Sequence, residues 1–141
     1  MSTSIKALIA HLHFDGRAAE AIALYERALD AKVLARMHWK DMPGGDISAA
    51  EADRVMHARL AIGGGTLLLA DRAGKAPETP GNGTIMTEFE DAAELDRRFE
   101  LLAQGGKPMM PPHDAFWGAR FAIAVDAVGV QWMLHAAKPP A

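Results

Sequence analysis

Two stretches of the chain place apolar residues at three- and four-residue steps. In "RAAEAIALYERALDA", from Arg17, the apolar side holds Ala18, Ala21, Ile22, Tyr25, Ala28 and Leu29, while Arg17, Glu20, Glu26 and Arg27 take the other side. That period predicts an amphipathic helix. The second, "DAAELDRRFELLAQ", opens on Asp91 as a candidate N-cap with Glu94 three residues later, and Gly105-Gly106 ends it. Short apolar or alternating runs elsewhere predict strands. They are "IKALIAHLHF" (5–14), "KVLARMHW" (32–39), "VMHARLAI" (55–62), "TLLLAD" (66–71), "TIMTEFE" (84–90), "ARFAIAVD" (119–126) and "VGVQWMLHA" (128–136). "KPMMPP" (107–112) reads as a short edge strand limited by proline. Gly63-Gly64-Gly65 marks a hairpin, Pro43-Gly44-Gly45 makes 41–54 a loop, and the Pro/Gly-rich segment 72–83 reads as a linker.

Each half is therefore strand, helix, strand, strand, strand, and the halves can be laid over one another. "AEAIALYE" from Ala19 matches "AELDRRFE" from Ala93, "ARLAI" from Ala58 matches "ARFAI" from Ala119, and "GTLLLA" from Gly65 matches "GVQWML" from Gly129. Three matches in one order indicate an internal duplication. The expected fold class is α+β: two tandem βαβββ modules forming a curved mixed sheet around a concave pocket, with the helices outside. The whole chain, 1–141, is then one domain, with module one at 5–71, the linker at 72–83 and module two at 84–136.

Composition narrows the chemistry. Half of the 141 residues are hydrophobic and 23% are charged, an ordinary globular balance. A net charge of −3 leaves no basic footprint for nucleic acid. The absence of cysteine excludes disulfides, thiolate metal sites and a cysteine nucleophile, and suits a reducing cytoplasm. No apolar run approaches the length of a membrane span, and "MSTSIKALIAHL" lacks the pattern of a signal peptide. The expectation is a cytoplasmic protein with no membrane partner.

Four stretches, "LHFDGRAAEAIALYERAL", "VMHARLAIGGGTLLLAD", "FWGARFAIAVDAVGVQWML" and the Met-Pro-Gly loop at 42–44, carry a resemblance to the vicinal-oxygen-chelate superfamily and within it to the PhnB-like branch. That superfamily includes glyoxalase I, bleomycin-resistance proteins and extradiol dioxygenases. The resemblance implies a pocket between the modules and, often, a homodimer. It also implies, in metal-using members, His and Glu ligands from the first and last strand of each module. Counting four residues past the strand glycine places Leu69 and Met133 at the carboxylate positions, and the remaining two fall near Thr84 and at Ile9 or Ala10. Leu69 and Met133 cannot serve a hard divalent ion, and, with His11 one or two places from Ile9 and Ala10, the quartet is missing in at least three of its four places. Some relatives in this branch are named as methyltransferases, but the Gly63–Gly65 run leads into a strand, not a helix N-terminus that would receive a cofactor.

Strand alternation puts His11 and His13 on one face of the first strand, and His57 and Arg59 on one face of theirs. The overlay of Phe14 on Phe89 brings Glu88 to the position of His13. His11, His13, His57 and Glu88 are therefore the candidate metal set if a divalent metal binds at all. With Arg59 and Trp117 they are the candidate ligand-binding residues, Trp117 standing at the pocket rim. Trp132 is expected in the core, His38 and His135 at solvent-facing strand ends, and His113 on a loop. Three functions stand, one of them a metal-free enzyme in which His57 or Glu88 moves a proton. Another is a small-molecule binding protein with a metal-free pocket for an apolar or aromatic ligand and no cofactor. The third, the alternative to that binding role, is a divalent-metal-dependent lyase, isomerase or dioxygenase using a shifted His/Glu set.

Overall fold

The computed structural model describes residues 4–41, 47–72 and 83–137. The chain divides into two compact units, the first carrying four strands and one helix, the second repeating that set. Module one consists of β1 (Ala10–Phe14), α1 (Ala18–Leu29), β2 (Lys32–His38), β3 (Val55–Ile62) and β4 (Gly65–Asp71). Its sheet has the order β1-β4-β3-β2, with β1 parallel to β4 and the other pairs antiparallel. Module two consists of β5 (Ile85–Glu88), α2 (Ala92–Ala103), β6 (Lys107–Asp114), β7 (Ala119–Val125) and β8 (Gln131–Ala137). Its order, β5-β8-β7-β6, is the same with the same directions. The α+β class and the paired βαβββ modules follow. Most of the expected linker, and the Met-Pro-Gly loop, lie outside the described residues.

In module one the apolar stripe of α1 is buried as its period requires: Ala18, Ala21, Ile22, Tyr25 and Ala28 are fully enclosed. Arg17 precedes the helix without a side-chain cap. The capping carboxylate comes instead from the far end of β4. Asp71 is buried, its Oδ1 accepts from the backbone N–H of Gly16 (2.8 Å) and Ala18 (3.0 Å), and its Oδ2 accepts from Val55 (3.0 Å). A carboxylate at a helix start answers both the orphan N–H groups and the helix dipole. Leu12, Leu69 and Ala58 stand in one row across β1, β4 and β3; Leu69 and Ala58 are buried, which makes this the buried face of the sheet.

In module two, α2 buries Leu95, Phe99 and Leu102. Asp91 caps it by accepting from Ala93 N (3.0 Å), as its sequence position predicts. Glu94 is taken up by Arg97 and Arg98, whose guanidinium hydrogen bonds lower its pKa to about 2. The helix runs into Gly106, where a Cβ would collide with the backbone of Val125 and Asp126, so the turn into β6 admits only glycine. Trp132 is core, as expected. Its indole Nε1 donates to the buried Asp126 (2.8 Å), whose other oxygen accepts from the N–H groups of Val128 and Val130. Enclosing that indole contributes about 2–3 kcal/mol.

The register corrects the repeat that the sequence suggests. Module one has the helix-facing row Leu12, Leu69 and Ala58, and module two a helix-facing row of Thr87, Leu134 and Ala122. Ala119, which "ARFAI" would set on Ala58, lies two residues from Phe121 on the opposite face of its sheet, so the true equivalence is displaced by an odd number of residues. An odd slip reverses the faces. Leu60 is buried beside Ala58, whereas Phe121 lies on the face away from the helix, and Arg120 instead points to α2, pairing with Asp96 at 2.9 Å. The fold is duplicated, but the look-alike pentapeptides are not its equivalent positions.

Candidate functional site

Each sheet has one buried face and one open face, and the chemistry lies on the open ones. In module one, alternation along β1 brings His11 and His13 to the same side, with their rings stacked at 4.3 Å between centroids and 17° between planes. Register carries this side across the sheet. His11 is level with Leu68 and Arg59, and His13 is level with Ala70, next to which the β3 register places His57. Met37 pairs with His57 on β2. His11, His13, His57 and Arg59 thus share one open face, with no carboxylate among the β1–β4 residues paired in these two rows. The His13 imidazole is held below its ordinary pKa, first by partial burial and then by the neighbouring His11 and Arg72.

In module two the row runs Glu88, His135, Phe121, His113 across β5, β8, β7 and β6. Glu88 Oε2 lies 3.0 Å from His135 Nδ1. Trp117, from the β6–β7 turn, folds back so that its Nε1 donates to His135 Nε2 at 3.3 Å. The indole stands edge-on to Phe121, with centroids 5.3 Å apart. An indole N–H has no acceptor role, so Nε2 is the unprotonated nitrogen and Nδ1 carries the proton toward Glu88. His113 Nδ1 lies 3.0 Å from Pro111 O, a carbonyl that only accepts, and this ring too makes a T-shaped contact with Phe121, at 6.1 Å between centroids. Phe121 is buried beneath these rings, while Trp117 is 51% exposed.

Two of the expected placements change. His135 does not end its strand in solvent: it lies inside β8, largely covered, between Glu88 and Trp117. His113 lies in β6, because that strand continues through Pro111 and Pro112 to Asp114 at the sheet edge, where a missing N–H costs no ladder bond. His38 does close β2, 3.6 Å from Asp41. The count from the strand glycines also fails as a guide to facing. Leu69 points into the buried side of its sheet, whereas Met133 shares the open-face row of Met86 and Ile123. Thr84 precedes β5 and accepts from Gln131. The candidate residues thus fall into two sets, His11, His13, His57 and Arg59 on module one and Glu88 and Trp117 on module two. Sequence reasoning missed His135 and Phe121. The available signal was parity, since His135 lies two residues from Met133 and Phe121 two residues from Ile123 on the same strand face. Among the described residues no three His, Asp or Glu side chains converge as a metal set.

The glyoxalase/bleomycin resistance protein/dioxygenase superfamily model matches residues 8–134. The chain is similar to protein PA1353 from Pseudomonas aeruginosa, with 30% identity and a TM-score of 0.85 over 95% of this chain and 99% of that one. It is 28% identical to protein YjdN of Escherichia coli (strain K12) over 137 residues, covering 91% of this chain and 93% of YjdN. A PhnB protein from Bacillus cereus, named as a putative 3-demethylubiquinone-9 3-methyltransferase, shares the fold at 24% identity and a TM-score of 0.78, over 94% of this chain and all of that one. With the two βαβββ modules, these matches establish that the chain belongs to the glyoxalase/bleomycin resistance protein/dioxygenase superfamily.

Proposed function

We propose that the protein is a small-molecule binding member of its superfamily, taking an aromatic ligand without a metal or other cofactor. The observation that supports this most is the aromatic cluster on the open face of module two. There a half-exposed Trp117 leans on Phe121 beside the Glu88–His135 pair. Flat apolar rings with one oriented polar group are what an aromatic ligand with a polar substituent requires. The methyltransferase name of the Bacillus cereus neighbour is not carried over: Gly63 and Gly64 form the turn between β3 and β4, and no helix begins there. The reading includes a cytoplasmic homodimer with no nucleic-acid or membrane partner. Among the described residues no helix is long and apolar enough to cross a membrane.

The test is tryptophan fluorescence. Trp132 is buried and Trp39 belongs to module one, so Trp117 is the indole that an incoming ring meets on this face. Aromatic probes should quench the emission, and Trp117→Ala should remove most of the quenching while the circular dichroism stays unchanged. Undiminished quenching in that variant would remove this face as the site. Metal analysis of protein purified without supplementation separates the alternative: one tightly held divalent ion per chain, lost in His57→Ala, would identify a metal-dependent enzyme.

A further inference from the structure

We propose that Trp117 is a displaceable cap on His135, and that the ligand replacing it is a flat aromatic molecule carrying an O–H or N–H donor. This rests on the aromatic-ligand reading above and specifies what its polar group must be. Glu88 fixes the imidazole in one tautomer by accepting from Nδ1, so Nε2 is committed as an acceptor. In the free protein the indole N–H fills that acceptor. The cap belongs to no strand. It lies in the turn between β6 and β7, which is closed by the bond from Gly118 N to Ala115 O (3.1 Å) and by that from Ala115 N to Ala119 O (2.8 Å). Gly118 has φ +86°, a conformation that glycine adopts without strain. The preceding Phe116 is 97% exposed and adds no anchorage in the core.

When the indole leaves, it uncovers two things together: the Phe121 ring and the lone pair of Nε2. An apolar ring alone would cover Phe121 but leave the nitrogen without its hydrogen bond, and a desolvated acceptor without a donor is costly. A ring bearing a hydroxyl replaces both contacts of the indole. The selectivity is therefore for a donor at the ring edge, and Glu88 acts as a positioning residue that keeps the nitrogen ready to accept.

The experiment compares 2-naphthol with 2-methoxynaphthalene, which lacks the O–H donor, on the full chain and on its Trp117→Phe variant. Phenylalanine keeps a ring over Phe121 but cannot donate to His135. The variant should bind 2-naphthol roughly five- to tenfold more tightly than the parent, the equivalent of one competing hydrogen bond removed. 2-Methoxynaphthalene should bind each protein several-fold more weakly than 2-naphthol, because it leaves Nε2 without a donor. In the parent protein labelled with nitrogen-15, saturating 2-naphthol should shift the Nε2 resonance of His135 while Nδ1 stays protonated. No gain for 2-naphthol in the variant, equal affinity of the two probes for the parent, or an Nε2 that keeps its indole partner at saturation would overturn the cap, leaving the aromatic-ligand reading in place. If neither probe binds either protein, that reading fails and the cap with it.

Discussion

His13 shows how a strand position becomes an electrostatic one. It sits two residues from His11, so alternation forces their rings together, and they stack at 4.3 Å. Partial burial, then His11, then Arg72 all disfavour its protonated form, so its pKa falls below the ordinary value of 6.5. The sign follows. The unfolded chain takes up this proton at a higher pH than the folded one, so the stability contribution is present above about 6.5 and is lost as pH falls through the folded pKa. In a two-dimensional imidazole titration His13 should charge below 6.5, and His11→Ala should move its midpoint up part of the way, because burial remains. A midpoint at or above 6.5 in the parent would contradict the arrangement. At this scale the sequence was informative about facing but not about neighbours. Parity put His57 and Arg59 on one side of β3, yet nothing in the letters announced that His135 would meet Glu88, since that contact depends on which strand lies alongside and in what register.

Among elements, the helices were legible because their period is local and their stripes are long. The strand count was legible for the same reason, while the equivalence of strands was not. "ARLAI" and "ARFAI" invite a match that the hydrogen-bond ladder refuses, because they present opposite faces, and only the partners across the sheet reveal it. The start of α1 was likewise hidden, because its cap comes from Asp71, 53 residues after the Ala18 N–H it receives. This position should be among the most sensitive in module one. Asp71→Asn keeps the shape but turns an N–H donor toward one of the three backbone N–H groups now served by the carboxylate. We expect a loss of about 2–4 kcal/mol in urea unfolding. Asp91→Ala, which removes an exposed cap of α2, should cost only about 1 kcal/mol. A loss for Asp71→Asn no greater than that for Asp91→Ala would show that the remote cap carries little of the helix.

For the whole molecule, the edges of the two sheets lead to the final prediction. β6 is an edge strand carrying Pro108, Pro111 and Pro112, three residues without the N–H that another chain would need to pair with it. The opposite kind of edge is β2. It is exposed from Lys32 to Met37, has no proline, and leaves Val33, Leu34 and Met37 open to solvent at 37%, 58% and 42%. Lys32 and Arg36 are the charges that blunt it. A long, partly apolar edge of this kind is normally covered in a stable protein, and a second copy of the chain is the simplest cover. Sedimentation at micromolar concentration should therefore give a dimer, and replacing both Val33 and Leu34 by lysine should shift it toward monomer without loss of the helical signal. A parent protein that sediments only as a monomer would rule out the homodimer. A dimer indifferent to the double substitution would move the interface away from β2, to the β1 edge, where Leu8 and Ile9 are the exposed apolar residues.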